Sequence, residues 1–259
     1  MTISIFVVNL TESTERRKRI QEQLDQLGLQ AEFFPAVRGK SLDAAELATN
    51  YDDSSFFRPL SPGEIGCALS HVFIYKLIIE RNIDHCLILE DDVLISEHVS
   101  KIMASIETVI NPDSPELILL TSLKEYSEND SISLNIDNYR IVPVIRAGCT
   151  HGYIITNAGA RALYQYCYPI RKPADWWELV QHLITVRGID PIVIDWDTTS
   201  FESLITPGRV SSGNKKKSFS YFYKKTANRI YARFVWWKLR WKHGIVIRTI
   251  SGNASSHDK

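Results

Sequence analysis

Cys86-Leu87-Ile88-Leu89-Glu90-Asp91-Asp92-Val93 decides the reading of this chain. His85–Leu89 has the apolar run of a buried strand, and it leads straight into three consecutive carboxylates. In open α/β folds ligands bind beyond the C-terminal edge of the sheet, so the strand delivers its acids to that edge. The pleat places Glu90 and Asp92 on one side and Asp91 on the other. Three like charges repel, and unless solvent screens them something positive belongs between them. Hard oxygen ligands of this kind suit Mg2+ or Mn2+, above all where phosphate oxygens complete the shell. A solvated acidic turn is the plainer alternative; the fully apolar strand ahead of it favours the metal.

Working outward, Ile3–Val8 reads as a buried first strand ending at Asn9, and Thr14–Leu27 as a helix with Ile20, Leu24 and Leu27 on one face. Arg16, Arg17, Lys18 and Arg19 crowd the first turns of that helix, where the helix dipole prefers negative charge. Such a cluster suits a bound anion or a solvated cationic face. Ala31–Val37 is expected to be a second strand, followed by a turn at Arg38-Gly39-Lys40. Ser61 caps a helix that has Pro62 in its first turn and runs to about Arg81. Glu64 at its start favours the dipole and is given no chemical role. A helix over 97–110, a strand over Leu117–Leu120 and a surface loop over 124–139 come next. Strands at 141–145 and 152–156, helices at 158–168 and 175–187, and a strand at 192–195 complete the body. This alternation predicts an α/β fold with a mostly parallel sheet covered on both faces.

The 259 residues are 44% hydrophobic and 23% charged, which excludes disorder and low complexity and leaves room for one large domain, with or without an appendage. The formal net charge of zero hides an asymmetry. Residues 211–259 hold twelve basic residues and one acidic residue, against 18 and 29 in 1–210, so the body carries −11 and the tail +11. The expected division is therefore an acidic body domain over 1–210 and a basic tail over 211–259, joined through Ser211-Ser212-Gly213-Asn214. On a helical wheel Phe219, Tyr223, Ile230, Phe234, Trp237 and Trp241 share one face of the tail. Arg229, Arg233 and Arg240 flank it on one side, with Lys224, Lys238 and Lys242 on the other. Basic flanks beside aromatic residues describe a helix lying in an anionic membrane surface. Docking on the acidic body is the alternative. Nucleic-acid binding ranks last, for want of a recognition module. Cys67, Cys86, Cys149 and Cys167 are dispersed in apolar stretches, as reduced thiols would be. Ile3–Val8 is too short for a signal sequence, no other run approaches membrane-spanning length, and a cytoplasmic protein is expected.

Two families place acids in this way. Bacterial receiver domains hold Mg2+ on an acidic pair after a strand, but their phosphoacceptor carboxylate is missing here, since Thr121 follows Leu117–Leu120. The chain resembles glycosyltransferase family 25, which includes lipooligosaccharide galactosyltransferases and collagen-modifying relatives. The matching segments are Val7-Val8-Asn9-Leu10 with Arg16-Arg17, Pro35-Ala36-Val37-Arg38-Gly39, and Glu64-Ile65-Gly66-Cys67-Ala68-Leu69-Ser70-His71. The series continues with Leu89-Glu90-Asp91-Asp92, Gly152-Tyr153-Ile154-Ile155-Thr156 with Gly159-Ala160, and Pro173-Ala174-Asp175. They occur in the family's order over roughly residues 2–200.

The resemblance implies a GT-A-like fold, a UDP-sugar donor, a divalent metal with Mn2+ ahead of Mg2+, and inversion at the anomeric carbon. In those terms Asp92 and Glu90 are the metal ligands, with Asp91 the next candidate and a donor-site residue. Asn9, Arg16 and Arg17 face the nucleotide, and Ser70 and His71 contact the donor, although a histidine in an apolar helix also serves as a satisfied core residue. Asp175 is the general base, beside Trp176 and Trp177; its competing role is that of a helix cap. Asp195, Asp197 and Glu202 are alternative bases or ligands. The implied activity is that of a β-galactosyltransferase moving galactose from UDP-galactose to a lipid-linked lipopolysaccharide or lipooligosaccharide acceptor. Its expected place is the cytoplasmic face of the inner membrane of a Gram-negative bacterium. The alternative is a non-catalytic peripheral membrane protein whose acidic loop binds a cation.

Overall fold

The computed structural model describes residues 3–54, 56, 58–196, 219–244 and 246–248. Strand β1 (Ser4–Asn9), helix α1 (Thr14–Gln26), strand β2 (Glu32–Pro35) and helices α2 (Ala44–Asn50) and α3 (Pro62–Glu80) come first. Then follow β3 (His85–Glu90), β4 (Val93–Ile95), α4 (Val99–Val109), β5 (Glu116–Leu119), β6 (Leu123–Ser127), β7 (Ile132–Ser133) and β8 (Arg140–Ala147). β9 (Gly152–Thr156), α5 (Asn157–Cys167), β10 (Thr185–Asp190) and β11 (Ile194–Trp196) end the body, and α6 (Phe219–His243) and β12 (Val246–Arg248) form the tail.

The large sheet has the order β12-β6-β8-β10-β5-β9-β3-β1-β2, with β7 on β8. The expected parallel arrangement holds where the acids are, since β1 is parallel to both β2 and β3, and again for β5 with β10. β9 is inserted antiparallel between β3 and β5, and the pairs from β10 outward through β8 and β6 to β12 are antiparallel as well. The sheet is therefore mixed.

Both faces are covered, as the alternation of apolar residues requires. Cys86 and Ile88 of β3 pack in one cluster with Leu69 and Val72 of α3 and Leu163 of α5. Leu87 and Leu89 pack in the opposite cluster with Ile20 and Leu24 of α1 and Ile102 and Ile106 of α4. Each such fully buried aliphatic side chain contributes about 1.5–3 kcal/mol of transfer free energy. The two faces of β3 are thereby fixed, and with them the direction each acid takes beyond the strand.

α3 begins as its sequence dictates. Ser61 and Glu64 form a reciprocal capping box with Pro62 in the first turn, and Arg58 grips both oxygens of Glu64 at 2.8 and 2.6 Å. Contrary to the expectation that no further run approaches membrane-spanning length, α3 is long and apolar enough for a span. It is instead a core helix, with most of its residues buried between the sheet and α5. Two of the sequence motifs meet at its first turns. A Cβ on Gly39 would lie 1.7 Å from the Pro62 carbonyl oxygen, and one on Gly66 2.4 Å from that of Val37. The Pro35–Gly39 and Glu64–His71 segments are thus two halves of one backbone contact.

Three expectations need correction. Residues 175–187 do not form a helix: a single 3-10 turn, Trp177–Leu179, leads to strand β10. Leu179, Val180, Leu183 and Ile184 have helical spacing, yet Thr185–Gly188 pair with Glu116–Leu119 inside the sheet. The expected loop over 124–139 contains β7 and most of β6, because the charged Glu125 that broke the apolar pattern is buried in an ion pair with Arg146 at 2.9 Å. The strand near 192–195 leaves the main sheet, pairing as β11 with β4, a strand not expected beside the acids. α2, capped by Asp43 and Glu46, was also not anticipated. The segment Ser211–Asn214 lies outside the described residues.

The tail helix packs on the body through one side. Val235 is buried, Tyr231 Oη lies 2.7 Å from His182 Nδ1, and Trp236 Nε1 donates to Glu125. Ser127 Oγ donates to the His243 carbonyl at 2.7 Å, and β12 then adds to β6 as the edge strand. Tyr223, Ile230, Phe234, Trp237 and Trp241 remain more than half exposed, Trp241 at 91%. The alternatives of a docked helix and an exposed aromatic face therefore coexist on opposite sides of α6.

Candidate active site at the end of strand β3

Glu90 ends β3 on the α3 side, and the turn after it brings Asp92 to the same region. Ligand atoms of Glu90, Asp92 and His151 all lie within 4.8 Å of one another, as do those of Cys67, His71 and Glu90. His71 Nδ1 sits 2.7 Å from Tyr153 Oη, which is 2.8 Å from Tyr75 Oη, while His71 Nε2 lies 3.5 Å from Glu90. Thr150 Oγ1 donates to Glu90.

Asp91 turns the other way, as the pleat predicts. Asn9 Nδ2 donates to one of its oxygens at 2.7 Å and Arg16 Nη1 to the other at 2.9 Å. The same Arg16 nitrogen reaches Asp92 at 3.1 Å. Asn9, Arg16 and Asp91 are all buried. The positive partner that three acids demand is thus supplied on this side by Arg16. Asn9 Oδ1 stays buried without a hydrogen-bond partner among the described residues.

The electrostatics divide the two acids on the α3 side. Burial pushes the Glu90 carboxyl up, but the His71 imidazole 3.5 Å away and the charge of His151 outweigh it and hold the group low. Asp92 is raised, first by burial and then by repulsion from Glu90. Burial works against charge on His151, yet its contact with Cys149 and the neighbouring Glu90 carry it up to about 9. Asp92 Oδ1, His71 Nε2 and His151 Nδ1 are buried without hydrogen-bond partners among the described residues. Glu90, Asp92 and His151, with ligand atoms within 4.8 Å of one another and Asp92 Oδ1 unsatisfied, form a donor set that a divalent cation would fit.

The other expected site residues fall as follows. Ser70 is buried, donating to the Gly66 carbonyl at 2.7 Å and accepting from Val37 N at 2.8 Å, so it ties the two glycine motifs together. Arg17 is exposed and lies over the Phe33 ring, 4.0 Å from its centroid. Asp175 lies in a turn two residues before the 3-10 helix, so it caps no helix. The chain beside it is tied to the acids: Trp177 Nε1 donates to the Cys149 carbonyl at 2.9 Å, and Thr150 holds Glu90. Cys67, raised chiefly by burial, also feels the charges of Glu90, Asp175 and Asp92, which places the three in one electrostatic neighbourhood. Asp195 accepts from Trp196 N, its own neighbour in β11. Asp197 and Glu202 lie outside the described residues.

Sequence reasoning missed Thr150 and His151. Both immediately precede the Gly152–Thr156 motif, and the antiparallel register of β9 on β3, Leu89 opposite Gly152, sets them beside Glu90. Only that adjacency signalled them.

Comparison with known proteins follows the same segments. The model of "Glycosyltransferase family 25 (LPS biosynthesis protein)" matches residues 2–177. A "Glycosyltransferase 25 family member" of Drosophila melanogaster is 31% identical over 202 residues, 74% of this chain and 30% of that protein. "Procollagen galactosyltransferase 2" of Homo sapiens is 30% identical over 169 residues, 61% of this chain and 27% of that protein. The chain thus spans under a third of the length of these relatives. A solved mannose-1-phosphate geranyltransferase of Thermus thermophilus aligns over 76% of this chain and 75% of its own with a TM-score of 0.37 and 8% identity, a likeness too slight to carry an argument. The motifs that interlock at Gly39 and Gly66 and converge on the end of β3 lie within the matched residues, and the chain belongs to glycosyltransferase family 25.

Proposed function

We propose that this chain is an inverting, metal-dependent glycosyltransferase with a GT-A-like body. It moves galactose from UDP-galactose to a saccharide acceptor of lipopolysaccharide or lipooligosaccharide. The observation that carries this reading is the pair Glu90 and Asp92 beside His151, with buried ligand atoms left unsatisfied at the sheet edge of a family 25 chain. A divalent cation, Mn2+ by preference, would be held by Asp92 and Glu90 with His151 alongside, and when bound would neutralise the diphosphate leaving group as a Lewis acid.

The chain's own residues supply the remainder. Asn9 keeps an acceptor oxygen for a donor group of the nucleotide, and Arg16 and Arg17 contribute positive charge on the same side of the sheet edge. Ser70 and His71 stand on the donor side of the acids, His71 being held between Tyr153 and Glu90. Asp175 takes the proton from the acceptor hydroxyl as that oxygen attacks the anomeric carbon and UDP departs from the opposite face. The exposed aromatic face of α6 with its basic flanks keeps the enzyme on an anionic membrane, the cytoplasmic face of an inner membrane, where a lipid-linked acceptor resides.

The test is a donor screen with Mn2+ and a defined lipooligosaccharide acceptor, scored by UDP release and by the linkage of the product. UDP release with UDP-galactose is expected. Absence of both turnover and binding with every UDP-sugar would refute the reading.

A further inference from the structure

Between α6 and the body lies a cavity of about 520 Å³, a volume within the range of small-ligand sites. Asp175 and Trp176 form part of its body wall, and Arg229, Arg233 and Trp236 of α6 form the opposite wall. Gly148, next to Cys149 and Thr150 in the segment that holds Glu90, lines its floor. The cavity therefore adjoins the proposed base.

Its chemistry is unlike that of an unused surface crevice. Arg146 is neutralised by Glu125 at 2.9 Å and by Glu178, which also lines the cavity, at 3.6 Å. Arg229 and Arg233 make no hydrogen bond or ion pair among the described residues, although both line the cavity; Lys124, also in the lining, feels the Glu178 carboxylate. Arg229 and Arg233 stand one helical turn apart, where like charges repel by a few tenths of a kcal/mol. Two guanidinium groups kept together at that cost on a cavity wall present a fork for an oxyanion. Indole rings of Trp176 and Trp236 give apolar faces for a pyranose, and Trp236 is held in place by its bond to Glu125.

We infer that this cavity is the acceptor subsite, and that it takes a saccharide bearing an oxyanion, a phosphate or a carboxylate, which Arg229, Arg233 and Lys124 recognise. The inference rests on the transferase reading and deepens it by naming the class of acceptor. It also gives the tail helix a second duty, since Arg229 and Arg233, on one flank of the aromatic face, line the acceptor cavity.

The probes are glucose, glucose 6-phosphate and glucuronic acid, titrated into the full-length protein at low salt and followed by calorimetry or protein-observed NMR. Glucose 6-phosphate or glucuronic acid should bind about tenfold more tightly than glucose, a difference of about 1.4 kcal/mol. Which of the two gains more tells phosphate from carboxylate. The double variant Arg229→Ala/Arg233→Ala should remove that tenfold preference, while Lys101→Ala, a change of charge on α4, should leave it intact. UDP binding with Mn2+, measured on the same samples, should be unchanged in both variants. Equal binding of charged and neutral sugars, no binding of any probe, or an unchanged preference in the double variant overturns the inference. Absence of UDP binding in the unaltered protein would instead remove the transferase reading, so the two failures are distinct.

Discussion

The two sides of the β3 strand end hold the same kind of residue in opposite states. On the α1 side Asp91 is closed off: Asn9 and Arg16 each donate to one of its oxygens, and all three are buried. On the α3 side Glu90 and Asp92 stand with His151 and retain buried atoms that nothing in the described chain satisfies. Adjacent carboxylates are thus separated by the pleat into one bound by Asn9 and Arg16 and a pair to which we assign the chemistry. The first holds α1 to the sheet. The second gathers burial and like charge, which raise Asp92.

The sharpest way to break this comparison is Asp91→Ala. Removing one partner of a buried pair takes from Arg16 its 2.9 Å ion pair and from Asn9 Nδ2 its 2.7 Å bond, leaving the buried guanidinium with one carboxylate fewer. The cost expected is about 3–5 kcal/mol, read as a fall in Tm on the order of 10 °C by thermal unfolding. A variant that melts with the parent protein would show that Asp91 is no more structural than its neighbours. Next in size is Asp92→Asn. Its charge is already disfavoured by burial and by Glu90, so stability should change little. Sugar transfer should fall about 100- to 1000-fold, the range seen when one electrostatic stabiliser of a transition state is removed. Transfer at the parental rate would end the assignment of Asp92 to the chemistry.

Much of this division was legible in the sequence, because period-two alternation alone assigns Glu90 and Asp92 to one side and Asp91 to the other. The capping of α3 by Ser61 was equally plain, since the N-cap is a purely local device. What could not be read depends on partners distant in the chain. His151 joins the acids only through the pairing of β9 with β3, and nothing local to residue 151 records that register. Residues 175–187 have helical spacing, but hydrogen bonds from β5 override it. Glu125 looked like a loop residue because its compensating charge, Arg146, lies on another strand. The tail helix was read correctly as amphipathic, with the same limit: its exposed face showed on the wheel, whereas the docking of Tyr231, Val235 and Trp236 required the body.

His151 tests whether the acids act with a third ligand. Its nearest distance to Glu90 is 4.0 Å, close enough to share a cation and too long for a hydrogen bond. His151→Ala should weaken Mn2+ binding by about 10- to 100-fold in calorimetric titration, the usual cost of losing an inner or supporting partner at a metal. Transfer at saturating Mn2+ should recover most of the parental rate. Unchanged affinity would confine the site to the two carboxylates and return His151 to the role of a counter-charge.

The smallest expected effect comes from the neighbouring arginines, which the sequence presents as equals. Arg16 is buried and bridges Asp91 and Asp92, whereas Arg17 lies exposed over Phe33. A guanidinium over an aromatic face at the surface is worth about 0.5–1 kcal/mol, so Arg17→Ala should lower stability by no more than that. Toward the nucleotide of the proposed donor it would act across solvent, where a single charge pair gives about 1 kcal/mol, or roughly fivefold in binding. The attraction is the same for bound donor and for the transition state, so it belongs in KM and not in kcat. Steady-state kinetics of Arg17→Ala should therefore show a donor KM raised about fivefold with kcat unchanged, and raising the salt should shrink the difference. A fall in kcat would mean that Arg17 meets charge developing on the leaving group, and the contrast between the two arginines would then be one of burial alone.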